Sequence, residues 1–347
     1  MKGRSVILDE IAGRKAAALM VDGRLDDLFI DPPDDRPAPG AIFRAVVDRQ
    51  VKGQGGAFLR LPAGSAFLRQ ARGLKPGQGI LVQVSGHAEP GKAVPVTQRL
   101  LFKSRYAIVT PDAPGFNVAR SIRDEAERDR LLEIAHDAMA GAINHLGLIL
   151  RSACDGVADE AITEDIAIMC GLARDILSEP AEGAPDLLLD APDAHDRAWR
   201  DWAERDPDEV IDRPGSFAET GVLDAIAALA GPDPLPGGGS LFVEPTRALV
   251  AVDVNTGPDT SPAAGLKANI AAARALPRLL RLRGLAGQIV IDFAPMSKKD
   301  RTALDQILTA AFRADPVETT LVGWTPLGHA ELTRKRERLP LCEAMVP

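Results

Sequence analysis

The sequence predicts a mixed α/β chain that carries a small closed β-barrel towards its N-terminus. Two features predict this class. Residues 41–105 hold several short apolar runs at close spacing, punctuated by Gly and Pro, and the last third alternates apolar strands with helix-length segments.

The elements follow in order. Residues 5–8 and 16–21 read as short strands around a turn at Ala12-Gly13, and Asp22-Gly23 marks a second turn before residues 25–30. The Pro- and Asp-rich stretch 31–40 is the first expected boundary. The apolar runs 42–47, 56–61, 66–68 and 79–84 lie in a stretch of about 65 residues with room for five or so short strands, which suits a barrel of the OB type. Residues 124–148 are expected to form one helix with Leu131, Leu132, Ile134, Ala135, Ile143 and Leu146 on its apolar face. A second helix is expected over 164–177, followed by a stretch rich in Pro, Asp and Glu at 179–213. The last third predicts strands at 240–243, 248–254, 288–293 and 319–323, with helices at 263–282 and 299–313. Strand–helix alternation of this kind implies βαβ units with a parallel core.

Composition narrows the classes. The chain has 347 residues, 46% hydrophobic, and its 41 Lys and Arg against 49 Asp and Glu give a net charge of −8. A polyanion binder more often carries the opposite sign, but what decides binding is the local potential of one face. Cys154, Cys170 and Cys342 are scattered and form no CxxC pair, which fits a reducing compartment and no zinc cage. The N-terminus reads as neither a signal peptide nor a span, and no segment nears the roughly 20 apolar residues that cross a bilayer. A cytoplasmic protein is expected.

The chemistry concentrates on two aspartates. Leu249-Val250-Ala251-Val252-Asp253-Val254-Asn255 and Gln288-Ile289-Val290-Ile291-Asp292-Phe293 are both apolar strands reaching an Asp near their ends, with room between them for one crossover helix. In an open α/β sheet both carboxylates would face one crevice. Adjacent carboxylates repel unless a cation or proton separates them, and hard oxygen ligands favour magnesium or manganese. Asn255 lies on the same side of the strand as Asp253 and could orient water or phosphate. The plainer alternative is that each Asp caps a turn or a helix. Arg274, Arg278, Arg281 and Arg283, then Lys298, Lys299 and Arg301, then the run from Arg334 through Lys335 and Arg336 to Arg338, surround this region. Such clusters suit a phosphodiester backbone, or else a solvated helix face. Phe58 and Phe67 on successive barrel strands could stack on unpaired bases, or fill the core.

These residues resemble a known family. The run LPGGGSLFVEPTRALVAVDVNTG at 235–257 is similar to the ribonuclease E/G signature around its first metal aspartate. Asn269, the stretch Arg281-Leu282-Arg283-Gly284-Leu285-Ala286-Gly287 and Ile289-Val290-Ile291-Asp292-Phe293 resemble the segment leading to the second. Gly328, Glu331, Leu332, Thr333, Arg334, Lys335 and Arg336 resemble the motif near the end of its catalytic core. The resemblance implies an RNase H-like subdomain with an inserted S-one-type OB barrel, followed by a DNase I-like α/β catalytic subdomain. The implied divisions are 1–34 for the first RNase H-like part, 35–105 for the barrel and 106–195 for a region sensing the RNA 5′ end. Residues 196–240 would be a shortened RNase H-like part and 241–347 the catalytic region.

It further implies magnesium-dependent endonucleolytic cleavage of single-stranded RNA in ribosomal or messenger RNA processing, leaving 5′-phosphate and 3′-hydroxyl ends. Asp253 and Asp292 would hold the metal, with Asn255 in support. Phe58, Phe67, Lys92, Arg151, Ser152, Arg281, Arg283, Arg334, Lys335 and Arg336 would contact RNA, Arg151 and Ser152 at a 5′-monophosphate. The family's CPxC zinc-link does not occur before Pro347, so neither zinc nor a zinc-linked assembly is expected, although a homodimer is allowed. Arg247 stands where a Glu is usual, and Glu318 near an expected sensor arginine. Two other readings compete with the nuclease: a non-catalytic binder of single-stranded RNA, and a metal-dependent phosphatase, which would leave the barrel without a purpose.

Overall fold

The computed structural model describes residues 3–33, 36–51, 55–111, 113–141, 145–202, 206–259 and 261–345. The chain forms two compact units, one of Met1–Pro32 with Asp208–Pro347 and the other of Pro33–Pro207.

The chain begins with a meander of β1 (Arg4–Ile11), β2 (Arg14–Val21) and β3 (Arg24–Ile30). Five further strands, β4 (Ile42–Val51), β5 (Gly56–Arg60), β6 (Ser65–Leu68), β7 (Gly79–Val84) and β8 (Val94–Thr97), then form a sheet in the order β4-β5-β6-β8-β7. Pairing of β4 with β7, from Ile42↔Gln83 to Val46↔Gly79, closes this sheet into an OB-like barrel. Its core is built from the inward pleat, including Ala57, Leu59, Ala66, Leu68 and Val82.

A second sheet of the same unit contains β9 (Phe102–Lys103), β10 (Ala107–Pro111), β11 (Gly115–Val118) and β12 (Leu146–Leu150). Helices α1 (Glu125–Ala138) and α2 (Asp159–Ser178) pack on it. Strand β13 (Asp186–Leu189), which joins the edge of β4, and α3 (Ala194–Asp201) complete the unit. The single helix expected over 124–148 is therefore two elements. Helix α1 caps on Asp124, whose carboxylate accepts from Glu127 N at 3.0 Å, and ends at Met139. Leu146-Gly147-Leu148-Ile149-Leu150 instead lies between β10 and β11, because a nearly unbroken apolar run suits a strand covered on both faces. Ile143, counted on the expected helical face, lies outside the described residues.

The chain then returns to the first unit. Strand β14 (Glu209–Asp212) pairs parallel to β1, and short helices α4 (Ser216–Glu219) and α5 (Val222–Ala228) follow. The remaining strands are β15 (Asp233–Leu235), β16 (Gly239–Pro245), β17 (Val250–Asn255), β18 (Gly287–Asp292), β19 (Thr319–Trp324) and β20 (Ala330–Arg334). They lie in the order β15-β16-β17-β18-β20-β19, with α6 (Pro262–Leu282) and α7 (Lys298–Ala314) between them in the chain and α8 (Leu341–Ala344) at the end. The expectation of a parallel core is corrected: only β17 and β18 run parallel in this sheet. The discrepancy arises at β20, a strand the sequence reading did not find. It inserts antiparallel between β18 and β19 where a second βαβ crossover was expected.

One core joins both sheets of this unit through α6. Ile7, Ala18 and Leu28 of the first sheet, Ala272, Leu276 and Leu279 of α6, and Val252, Ile289 and Ile291 of the second all belong to it. Charges are built into it as well. Arg281 at the end of α6 pairs with Asp27 of β3 at 3.1 Å and with Asp315, while Arg334 of β20 pairs with Asp315 at 2.7 Å. Arg338 closes onto Asp27 at 3.0 Å.

The Asp315 side chain is 1% exposed. Neutralising it takes the carboxylate from buried Arg334 and one of two carboxylates from Arg281, which keeps Asp27, and losing one partner of a buried pair typically costs about 3–5 kcal/mol. Asp315→Asn should therefore lower the urea unfolding free energy by about that amount. An unchanged midpoint and slope would remove this network from the account of stability.

Candidate active site

The six-stranded sheet is covered on one face only. Along β17, Val250, Val252 and Val254 are buried towards the helices, whereas Asp253 and Asn255 are exposed and Ala251 half-exposed on the opposite pleat. The same alternation in β18 buries Ile289 and Ile291 and exposes Asp292. This period of two, dictated by the Val/Ile spacing, aims both aspartates at the open face.

Register then brings them together. Asp253 pairs with Asp292 across the parallel β17–β18 ladder, so the two carboxylates rise side by side from adjacent strands. Phe242 of β16 stands opposite Asp253 on the other side. His329, next to Ala330 at the start of β20, places Nε2 3.7 Å from Asp292 Oδ1. Phe242, Asp253, Asp292 and His329 thus form one row across three strands and the residue that precedes β20, and all four line an open cleft.

Backbone packing fixes the ends of the two strands. The Nδ2 of Asn255 donates to Asp253 Oδ2 at 2.7 Å. A Cβ at Gly239 would come within 2.4 Å of the Asn255 carbonyl, so the glycine turn before β16 can lie directly on the end of β17. Beyond Asp292, buried Asn269 of α6 clamps the chain: its Nδ2 donates to Ala294 O and its Oδ1 accepts from Ala294 N, both at 2.9 Å. The sequence reading used Asn269 only as part of a resemblance and did not single out Phe242, Glu244 or His329. An Asn in an otherwise apolar stretch of α6 was the available signal for the clamp.

The carboxylate pair suits a cation. Among the described residues no Lys or Arg pairs with Asp253 or Asp292, and the polar groups that meet these carboxylates are the Asn255 amide and the His329 imidazole. No group of three or more His, Cys, Asp or Glu among the described residues is arranged to hold a metal. Two carboxylates side by side form a donor set that fits an ion taking one or two carboxylates and keeping several waters, as magnesium does.

The residues expected to contact RNA divide into two kinds. Phe58 and Phe67 face each other across β5 and β6 at 5.3 Å between ring centroids. Both are half-exposed and lie outside the barrel core, and Arg49 lies over the Phe58 ring at 4.9 Å. Lys92 is exposed and pairs with Glu89 at 2.6 Å. Lys335 is exposed and pairs with Glu318, and the Arg336 guanidinium lies against Gly287.

Arg281, Arg283 and Arg334, by contrast, are buried. The first and third belong to the network around Asp315. Arg283 donates to Leu229 O at 3.0 Å and pairs with Asp233 at 2.7 Å. These three guanidiniums are consumed inside the unit and present no face to a phosphate.

Arg151 is half-buried just before the turn containing Ser152. It donates to Arg200 O at 2.8 Å and pairs with Asp201 at 3.2 Å, and Lys103 meets the same carboxylate at 2.6 Å. Burial pushes the Asp201 carboxyl up, but Arg200 and Lys103 outweigh it and hold the group well below the usual carboxylate range. Burial depresses the Lys103 ammonium despite Asp201.

The model of the ribonuclease E/G family matches residues 102–220 and 212–337. Ribonuclease E of Nostoc sp. (strain PCC 7120) is 29% identical over 354 residues, covering 86% of this chain and 51% of that protein. Ribonuclease G of Escherichia coli (strain K12) is 26% identical over 380 residues, covering 91% of this chain and 76% of the relative. Ribonuclease E of Synechocystis sp. (strain PCC 6803) is 28% identical, with 92% and 53% covered. The match thus spans about half the length of the ribonuclease E relatives. With the family model matching well over half of its residues, the chain belongs to the ribonuclease E/G family.

Proposed function

We propose that this protein is a cytoplasmic, magnesium-dependent endoribonuclease that cleaves single-stranded RNA in ribosomal or messenger RNA processing. The observation that carries the reading is the register Asp253↔Asp292 on an open sheet face, where among the described residues no Lys or Arg pairs with either carboxylate. On this reading, the six-stranded sheet with α6 and α7 is the DNase I-like catalytic part of the family, and β1–β3 with β14 belong to its RNase H-like part. No helix among the described residues is long and apolar enough to cross a membrane.

The chain's own groups supply most of the mechanism. Asp253 and Asp292 would hold magnesium, which when bound supplies Lewis acidity towards water and the scissile phosphate. The Asn255 amide fixes the rotamer of Asp253, so that a carboxylate oxygen is already turned towards the cleft before the substrate arrives. Asn269 holds the backbone two residues beyond Asp292 and prevents that carboxylate from drifting with its loop. Arg274, Lys298 and Lys299 are exposed on α6 and α7 and can meet the RNA backbone, a role that burial denies to Arg281, Arg283 and Arg334. Lys92, Lys335 and Arg336 remain candidates for further phosphate contacts, and Arg151 with Ser152 for a terminal phosphate. On the barrel, the Phe58–Phe67 pair offers a stacking platform for unpaired bases.

Asp253→Asn should lower cleavage of a fluorogenic single-stranded RNA by at least about 100-fold, because a metal site supplies several kcal/mol to the transition state. RNA affinity, read by fluorescence anisotropy, should persist. Full activity in this variant refutes the site, and binding without cleavage by the unaltered protein under any divalent ion leaves only an RNA-binding protein. EDTA should abolish turnover and added magnesium restore it. Phe58→Ala should weaken RNA binding by about 1–3 kcal/mol, the usual worth of one base on an aromatic platform. Undiminished affinity would return that ring to a packing role.

A further inference from the structure

The cleft continues beside the aspartates onto a surface that the metal chemistry does not use. One pleat back along the strands, about 6.6 Å at the usual rise, Ala251 of β17 lies beside Val290 of β18. Phe242 and Leu249 extend this apolar lining, and Glu244, opposite Ala251 on β16, supplies a carboxylate at its edge. Phe242, Leu249, Ala251 and Val290 are only half-buried, although the other pleat of the same strands is packed against helices. A shallow apolar floor suits the face of a nucleobase, since every base offers a π-face. A phosphate would be repelled by Glu244. A strand whose phosphate lies over the Asp253–Asp292 row would therefore place a base, not its backbone, on this floor.

We infer that this part of the cleft seats a nucleobase adjoining the scissile phosphate, and that Glu244 selects bases carrying an exocyclic amino group. The inference rests on the nuclease reading of Asp253 and Asp292 and adds a substrate preference to it. A carboxylate accepts hydrogen bonds and donates none. Cytosine presents its N4 amino group to such an acceptor, whereas uracil presents the O4 carbonyl at the same position. Two acceptors then face each other, so uracil lacks the bond and adds repulsion.

Single-stranded oligoribonucleotides identical except for cytidine or uridine at each position flanking the cleaved bond test this directly. At one position, cytidine should raise kcat/KM about fivefold or more over uridine, the lower end of what one base-edge hydrogen bond discriminates. In Glu244→Gln, whose amide donates as well as accepts, that ratio should fall to about one. Equal rates for cytidine and uridine at every position, or a preference that survives unchanged in E244Q, overturn the pocket and leave the nuclease reading intact. Cleavage of none of the oligonucleotides overturns both.

Discussion

A single parallel strand pair governs the candidate site. Every other pair of neighbours in the six-stranded sheet runs antiparallel, and only β17 and β18 are parallel neighbours, joined through the 21-residue helix α6. Such a crossover is needed because parallel strands cannot be joined by a tight turn. Its consequence is that Asp253 and Asp292, each near the end of its strand, arrive in register instead of at opposite ends of the sheet. A slip of β18 by one residue would turn Asp292 into the core and expose Ile291. The apolar alternation therefore fixes the pairing even though like charges at that position oppose it. The local repulsion is tolerated because α6 and the core beneath it hold the strands, and it leaves a place where a cation is favoured.

That same core explains why the arginine content is a poor guide to RNA contact. Arg281, Arg283 and Arg334 lie in clusters that look basic along the chain, yet in space each is matched with Asp315 or Asp233. Arg281 and Arg338 bind Asp27, contributed by β3, more than 250 residues earlier in the chain. Arginine suits this role because its planar fork can satisfy two carboxylates at once. The cations left for a polyanion are those with exposed ends, such as Lys298 and Lys299 at the N-terminus of α7. The net charge of −8 sums the whole chain, and what decides polyanion binding is the local potential of one face.

What could be read from the sequence follows the range of the interaction responsible. Strands β16, β17 and β18, helices α6 and α7, and the barrel strands β4 to β7 were legible because the period of apolar residues is written locally, whereas β8 was not placed. Asp253, Asn255 and Asp292 could be placed on one face from strand alternation alone. The register between β17 and β18 could be expected but not counted. Strand β20 was missed because its inward positions are Ala330, Leu332 and Arg334, and an arginine facing the core breaks the apolar pattern. Its partner Asp315 lies before β19, so nothing near Arg334 in the chain announced the burial. The long helix assigned to 124–148 failed for the opposite reason: Leu146 to Leu150 satisfy a helical stripe as well as a strand, and only pairing with β10 and β11 decides between them.

The barrel and the sheet use one device. In each, alternate residues of a strand build the core, and the intervening positions carry groups that the core does not need. In β5 and β6, Ala57, Leu59, Ala66 and Leu68 fill the interior while Phe58 and Phe67 stand opposite. Ten phenylalanines are few for a chain of this length, and placing two of them on an outer pleat gives up burial that could have stabilised the barrel. Arg49 over Phe58 recovers part of that loss and adds a cation beside the rings. On β17 and β18 the corresponding positions hold Ala251, Asp253, Val290 and Asp292. The RNA substrate proposed for this chain would need both kinds of surface, flat apolar area for its bases and concentrated charge for its phosphates, and the two-residue repeat of a β-strand can supply each without disturbing the packing beneath.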